Sequence, residues 1–359
     1  MPGVSDSRWA AEGTTPAAIE AALREMLKER HAENESFSPA RALNMVCVVD
    51  KAWSGEVANR LRNVGRYHAS RTIVLAVEPK RTSLDAVATI ASDVHPKAGE
   101  FALLRETVIV DVGEKHLPAL DTIVDPLVVT DLPTVLWSPH GHPEAVDVLL
   151  GLAQVVLLDS IDDPDIADGL ERARELLEKA YVVDLAWLRS TPWRERVAAT
   201  FDPAHLRPDL RHISSVTVRH NQESAAAGLL LLGWLASRLG WQPSKLIARN
   251  GTLTGKAHGK RQDVDLCLEP DPRQSVRGLA GLTLETASGR HLELDRGPGG
   301  LRARYRNRKG DEREWTVLGA SRGEAGILGE GIRQALLRDP TYAPALEAAT
   351  AMLATGAAA

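Results

Sequence analysis

Apolar residues are distributed along this chain in three textures, and each predicts a different kind of element. Near the start, Ile19, Leu23, Met26 and Leu27 recur at helical spacing, opposite Glu20, Arg24, Lys28 and Glu29. Thr15 is a good N-cap there and Pro16 suits the first helical position, so a helix is expected to about Arg30. The second texture is the continuous apolar run. Val46-Cys47-Val48-Val49 and Thr72-Ile73-Val74-Leu75-Ala76-Val77 read as strands buried on both faces. A helical stretch through Val57, Leu61 and Val64 separates them, and strand–helix–strand is the signature of a right-handed parallel crossover. More strands are expected at Val87–Val94, Leu103–Val112, Thr134–Trp137 and Val155–Leu158, with helices near Leu117–Ile123, Pro143–Leu152 and Pro164–Lys179.

The third texture is strict alternation. It starts at Ser214–Val218 and, after an apolar helix over Glu223–Leu239, resumes at Val264–Leu268, Leu282–Glu285, Leu292–Asp295, Leu301–Arg306 and Trp315–Val317. Turns such as Gly297-Pro298-Gly299-Gly300 and Arg308-Lys309-Gly310-Asp311 separate the later segments, as in an antiparallel meander with one wet face. A helix near Gly323–Leu337 would cover it, with a short one from Pro344. The expected class is therefore α/β: an N-terminal, mainly parallel α/β sheet domain over 41–205, then a C-terminal α+β domain with an antiparallel meander over 206–349. Residues 1–40 form a tail and the first helix, disordered to about Gly13, and 350–359 a flexible tail.

Composition alters this picture little. The 359 residues are 44% hydrophobic and 25% charged, as in average soluble domains. A net charge of -5 gives no general reason to bind nucleic acid or an anionic membrane. No signal peptide is visible, and the apolar run Ala225–Ala236 is too short to span a bilayer. Cys47 and Cys267 lie in strand-like runs, where cysteine acts as a small hydrophobe, and the expected compartment is the reducing cytoplasm.

Candidate chemistry is sparse. Gly251-Thr252-Leu253-Thr254-Gly255-Lys256-Ala257 has one residue too few between its glycines for a phosphate loop, and Ala257 cannot hold magnesium. What remains is a basic loop, Gly251–Arg261. Its Lys256, His258, Lys260 and Arg261 are candidate anion-binding residues, against the plainer reading of a mobile surface loop. Val49-Asp50-Lys51-Ala52-Trp53-Ser54-Gly55 lacks the close-set glycines of a dinucleotide fingerprint, so no cofactor is expected. His140 and His142 follow a strand and Asp147 could join them from the next helix, but two His and one carboxylate are a weak ligand set, so no metal is expected either. The acidic run Asp159–Asp165 suits capping the next helix. Arg302, Arg304, Arg306 and Arg308 share a strand face, with Glu293, Asp295, Glu312 and Glu314 placed to pair across strands. No Ser, Cys or Lys nucleophile comes with a recognisable motif and base, so no catalytic residue is named.

Three segments carry side chains suited to directed contacts. Arg66-Tyr67-His68-Ala69-Ser70-Arg71 leads into the strand ending at Val77, more cations and donors than a helix C-cap needs. Asp131-Leu132-Pro133-Thr134-Val135-Leu136-Trp137-Ser138-Pro139 and Asp184-Leu185-Ala186-Trp187-Leu188-Arg189-Ser190-Thr191-Pro192-Trp193-Arg194-Glu195 follow. There are eight Trp against three Phe and four Tyr, several beside Arg, Pro or Ser, the mix found at interaction hot spots or at half-buried domain edges. In this order the segments resemble the glucose-6-phosphate dehydrogenase assembly protein family, OpcA, over roughly Ala42–Leu337. The resemblance implies a non-enzymatic assembly factor or allosteric activator whose partner is glucose-6-phosphate dehydrogenase, supporting NADPH supply in the oxidative pentose phosphate pathway. The partner-binding candidates are then Arg66, Tyr67, His68, Ser70, Arg71, Trp137, Trp187, Trp193 and Arg194. Some relatives are associated with thiol-based control; here no close cysteine pair exists, so a redox-independent contact is expected. The rival reading is a sugar-phosphate or nucleotide sensor, or an enzyme, using the Gly251–Arg261 loop.

Overall fold

The computed structural model describes residues 6–33, 37–38, 41–64, 70–92, 102–318 and 323–353. They form two compact units, and the chain passes between them more than once. The first comprises Met1–Leu158, Lys179–Val183 and Leu328–Leu337; the second Asp159–Glu178, Asp184–Ile327 and Arg338–Ala359.

In chain order the first half begins with β1 (Ser7–Ala11), α1 (Pro16–Glu33), β2 (Phe37–Ser38), β3 (Leu43–Asp50), α2 (Ser54–Val64) and β4 (Ser70–Val77). It continues with β5 (Asp85–Ser92), β6 (Ala102–Val112), α3 (Leu120–Val124), β7 (Thr134–Trp137), α4 (Pro143–Leu149), β8 (Val155–Leu158), α5 (Ile166–Leu177) and β9 (Tyr181–Asp184). The nine strands make one sheet, ordered β1-β5-β6-β4-β3-β7-β8-β9 with β2 on β6. β6, β4, β3, β7 and β8 pair in parallel, while β5 and β1 add antiparallel at one edge. The parallel strands wind outward in both directions from β3, the doubly wound order, and reverse direction between β3 and β7. Seven of the eight β3 residues are buried, which is why its run has no polar alternation.

β1 corrects the expectation of disorder to Gly13. Arg30 in α1 donates from Nε to Ser7 Oγ at 2.8 Å, and Gly13 N–H donates to Asp85 Oδ1 at 2.9 Å, so the segment is pinned at both ends. A short edge strand of sequence Ser-Arg-Trp-Ala-Ala carries too little apolar signal to be read alone.

The second unit contains α6 (Leu185–Arg189), α7 (Thr191–Phe201), β10 (Ile213–His220), α8 (Ala225–Leu239), β11 (Gln242–Pro243), β12 (Ile247–Arg249), β13 (Thr252–His258) and β14 (Asp263–Pro270). β15 (Leu279–Thr286), β16 (His291–Gly297), β17 (Gly300–Arg306) and β18 (Glu312–Leu318) follow; α9 (Gly323–Gln334) starts in this unit and from Leu328 belongs to the first, and α10 (Tyr342–Leu353) belongs to the second again. The sheet runs β11-β13-β14-β10-β15-β16-β17-β18, with β12 on β13. The meander is as expected except at β10, which lies parallel to β14 and antiparallel to β15. α8 buries an almost wholly apolar surface on β10, β14 and α10. Gly233 lets the two helices meet: a Cβ there would lie 2.1 Å from the carbonyl oxygen of Ala345.

The supposed loop Gly251–Arg261 is a second correction. Thr252–His258 is strand β13, paired in antiparallel register with β14 from Leu253↔Leu268 to His258↔Asp263. Its glycines hid it, yet Gly255 is needed, because a Cβ there would meet Leu246 Cδ2 at 2.7 Å.

Candidate functional site

In a doubly wound sheet the place for a ligand is the crevice where strand order reverses, here between the C-terminal ends of β3 and β7. This chain furnishes that crevice with its own side chains. Asp50 ends β3, and its Oδ1 lies 3.0 Å from His142 Nε2. His142 takes a left-handed conformation (φ 60°) at the start of α4, next to Gly141 (φ 92°), so the turn delivers the ring to β3. Ser138 Oγ donates to the carbonyl oxygens of Gly141 and of Val48, the latter at 3.2 Å. Lys51 pairs with Asp111 of β6. Trp53, 49% exposed, sits 5.7 Å from the His140 ring, and burial holds that imidazole below its ordinary pKa. Among the described residues, no group of three or more His, Cys, Asp or Glu could hold a metal ion.

The partner-binding candidates fall elsewhere. Arg66, Tyr67 and His68 lie outside the described residues. Ser70 opens β4, its Oγ 3.2 Å from Thr72 Oγ1. Arg71 is not a surface group; it is 3% exposed. Its Nε donates to Glu106 Oε2 at 2.8 Å, and Nη1 donates to Glu20 Oε2 at 2.7 Å and to the Leu127 carbonyl at 2.9 Å. Arg41 takes the other oxygen of Glu106. One guanidinium thus ties α1, β4, β6 and the approach to β7. Asn44, fully buried, does similar work: Nδ2 donates to the Val129 carbonyl at 3.0 Å and Oδ1 accepts from Val129 N–H at 2.9 Å. Sequence reading missed Asn44 and Glu106. Both are polar residues inside strands, and that was the available signal.

The aromatic candidates are buried as well. Trp137 ends β7 within the sheet core, and Trp187 and Trp193 are 2% and 1% exposed. Trp187 Nε1 donates to Asp339 Oδ2 at 2.8 Å, and its ring centroid lies 5.5 Å from that of Tyr342. Arg194 lays its guanidinium 3.5 Å from the Trp187 ring centroid. The same group donates from Nε to Ser190 Oγ at 3.1 Å and from Nη2 to Thr191 Oγ1 at 2.9 Å. Burial lowers its pKa to about 10. Asp184 caps α6, accepting from Ala186 N–H at 2.9 Å, from Ser160 N–H at 3.1 Å and from the Tyr342 hydroxyl at 3.1 Å. The Trp and Arg residues of this motif are therefore consumed internally.

Of the anion-binding candidates, Lys256 and His258 alternate with their neighbours on β13 and pair with Asp265 and Asp263, at 3.4 and 2.8 Å. Lys260 and Arg261 belong to the turn after β13 and line a cleft together with Arg211 and Arg238. The arginine row on β17 is largely compensated. Arg304 reaches Glu293 at 3.0 Å, Arg302 approaches Glu314 at 3.9 Å, and Arg308 pairs with buried Asp209.

The geometry defines a two-unit α/β protein whose first unit has a doubly wound sheet without a glycine-rich phosphate turn at its first strand. Two family models match it: the glucose-6-phosphate dehydrogenase subunit N-terminal domain over residues 62–175 and the corresponding C-terminal domain over residues 180–346. The chain belongs to the glucose-6-phosphate dehydrogenase assembly protein family, OpcA. Relatives provisionally named OxPP cycle protein OpcA occur in Synechococcus elongatus, 30% identical over 142 residues, and in Nostoc punctiforme, 34% identical over 174 residues. These alignments take in 38% and 46% of this chain but only 32% and 35% of the relatives, so the chain spans about a third of their length. Among solved structures, the Gal80p super-repressor mutant of Saccharomyces cerevisiae overlays with TM-score 0.47 and 10% identity, covering 82% of this chain and 83% of that one. The WlbA dehydrogenase of Thermus thermophilus gives 0.44 and 13%, covering 88% and 97%. At these values the likeness decides nothing about this chain.

Proposed function

We propose that this protein is a non-enzymatic partner of glucose-6-phosphate dehydrogenase that binds it, promotes its active assembly and raises its activity, in the cytoplasm and in support of NADPH production. The observation that carries this reading is the match to both halves of the dehydrogenase-subunit family. The way Trp187, Trp193 and Arg194 are spent on internal order agrees with a rigid binding scaffold. To shift a dehydrogenase tenfold toward an active form, differential binding of about 1.4 kcal/mol suffices, which a few well-placed side chains can supply. The proposed contact is the segment Arg66, Tyr67, His68 and Ser70, whose C-terminal side is anchored by buried Arg71. Trp137, Trp187, Trp193 and Arg194 act from inside, as positioning residues.

The test is dehydrogenase activity from the same organism across substrate concentrations, with and without the protein. A saturable rise in rate or apparent substrate affinity, with co-elution of the two proteins, is expected. The double variant Arg66→Ala/Tyr67→Ala is expected to keep its melting temperature and lose most of that rise. Absence of both binding and rate change would refute the function; undiminished activation by the variant would refute the placement alone.

A further inference from the structure

We propose that a basic cleft in the second unit, walled by Arg211, Arg238, Lys260 and Arg261 around Trp241, binds a small phosphorylated metabolite carrying two or more negative charges. The cleft has a volume of about 540 Å³, within the range of small-molecule sites. Three separate pieces of chain build it. α8 ends at Gly240 (φ 67°), whose N–H bonds back to the Ala236 carbonyl, leaving Arg238 exposed in the last turn. The turn after β13 is closed by Gly259 N–H on the Gln262 carbonyl at 3.1 Å. It packs against Trp241: a Cβ at Gly259 would approach Trp241 Cδ1 at 3.3 Å. Gln262 Nε2 then ties that turn to β10 through the Ile213 carbonyl at 2.7 Å. Arg211 comes from the segment just before β10, and Arg261 Nη1 rests 3.3 Å from His212 Nε2.

The charges of this cleft are gathered and uncompensated. Several arginines elsewhere in the unit are matched: Arg189 with Asp159 at 2.7 Å, Arg219 with Asp295 at 2.9 Å, Arg290 with Asp209 at 2.8 Å. Among the described residues no carboxylate lines the cleft, and Arg211, Arg238 and Lys260 make no ion pair. Four cations gathered on one concave surface repel one another and gain strongly from a shared multivalent anion, to which guanidinium groups donate in forked pairs. The indole of Trp241 is 9% exposed and forms an apolar wall. A sugar bisphosphate and a nucleotide share this chemistry.

Calorimetric titration of the intact protein, without any dehydrogenase, tests the proposal apart from the partner reading. Inorganic tripolyphosphate is the first probe, followed by adenosine triphosphate and fructose 1,6-bisphosphate to separate nucleotide from sugar sources. The expected result is saturable binding that weakens as salt is raised. Arg238→Ser and Arg261→Ser should each weaken it about tenfold, the loss of one charge-assisted hydrogen bond. Arg249→Ser removes an equal charge from exposed β12 outside the cleft and should leave affinity unchanged. The proposal is overturned if none of the three probes binds saturably at up to about 1 mM in low salt. It is equally overturned if Arg249→Ser weakens binding as much as Arg238→Ser. A polyglutamate peptide bound through these arginines while all three phosphates fail would make the cleft a protein contact instead.

Discussion

Arg194 shows how a residue that reads as a contact can spend its donors within the fold. Its guanidinium covers the Trp187 ring, bonds Ser190 and Thr191, and approaches Asp339 Oδ2 at 3.7 Å. Replacing it with alanine uncovers the indole and leaves those acceptors unmatched, an expected loss of about 2–4 kcal/mol in urea unfolding. Lysine should rescue little, because an ammonium cannot lie flat on the ring and fork to two hydroxyls. A second residue-scale expectation concerns Asp159. Burial pushes its carboxyl up to about 7, against the opposing pull of Arg189. The folded pKa exceeds the unfolded one, so its contribution to stability is full below about pH 4 and is lost as pH rises toward 7. Asp159→Asn should flatten the fall in stability across that window, seen as a smaller slope of unfolding free energy against pH. One proton can supply at most about 1.4 kcal/mol per pH unit of that slope.

At the scale of elements, buried strands and the apolar face of α8 could be read directly, since burial on both faces removes alternation from β3 and β4. Two elements escaped for physical reasons. β1 is an edge strand and so needs no apolar run. β13 is interrupted by Gly255, kept for close approach to Leu246 and its neighbours. The α8–α10 contact leaves no room for a side chain at Gly233. Gly233→Ala would drive a methyl into the backbone of Ala345, and unless the helices separate it should cost about 1–3 kcal/mol by overpacking. The denaturation midpoint should fall accordingly, whereas alanine at Gly289, with no atom within 4 Å, should cost only the strain of its φ of 85°.

For the whole molecule, the α/β class and the switch from parallel to antiparallel architecture follow from the three apolar textures. The order of strands across each sheet does not, because pairing joins residues distant in sequence, as β3 with β7. The candidate site was less accessible for the same reason. Arg211 and Arg238 carry no local motif, and only the fold brings them beside Lys260 and Arg261. Conversely, Trp187 and Arg194 looked available because nothing in their neighbourhood of sequence announces Asp339 or Tyr342. Thiol chemistry is a molecule-wide expectation. Burial pushes the Cys47 thiol far up, and that of half-buried Cys267 up as well. Iodoacetamide at neutral pH should modify both at least about tenfold more slowly in the native protein than in urea, and dehydrogenase activation should be alike under oxidising and reducing conditions. Rapid labelling of either thiol would reopen the question of redox control.

The threading of the chain between the two units also bears on how the protein is made. The first unit includes Lys179–Val183 and Leu328–Leu337, so its last piece is synthesised after almost the whole of the second. A nascent chain emerging from the ribosome cannot complete one unit and then begin the other. The first unit is therefore finished only near the end of translation, and until then it meets chaperones and proteases in an incomplete state. For the same reason a cut at residue 158 strips the first unit of Lys179–Val183 and Leu328–Leu337, so the first unit cannot be engineered apart from the second by dividing the chain there.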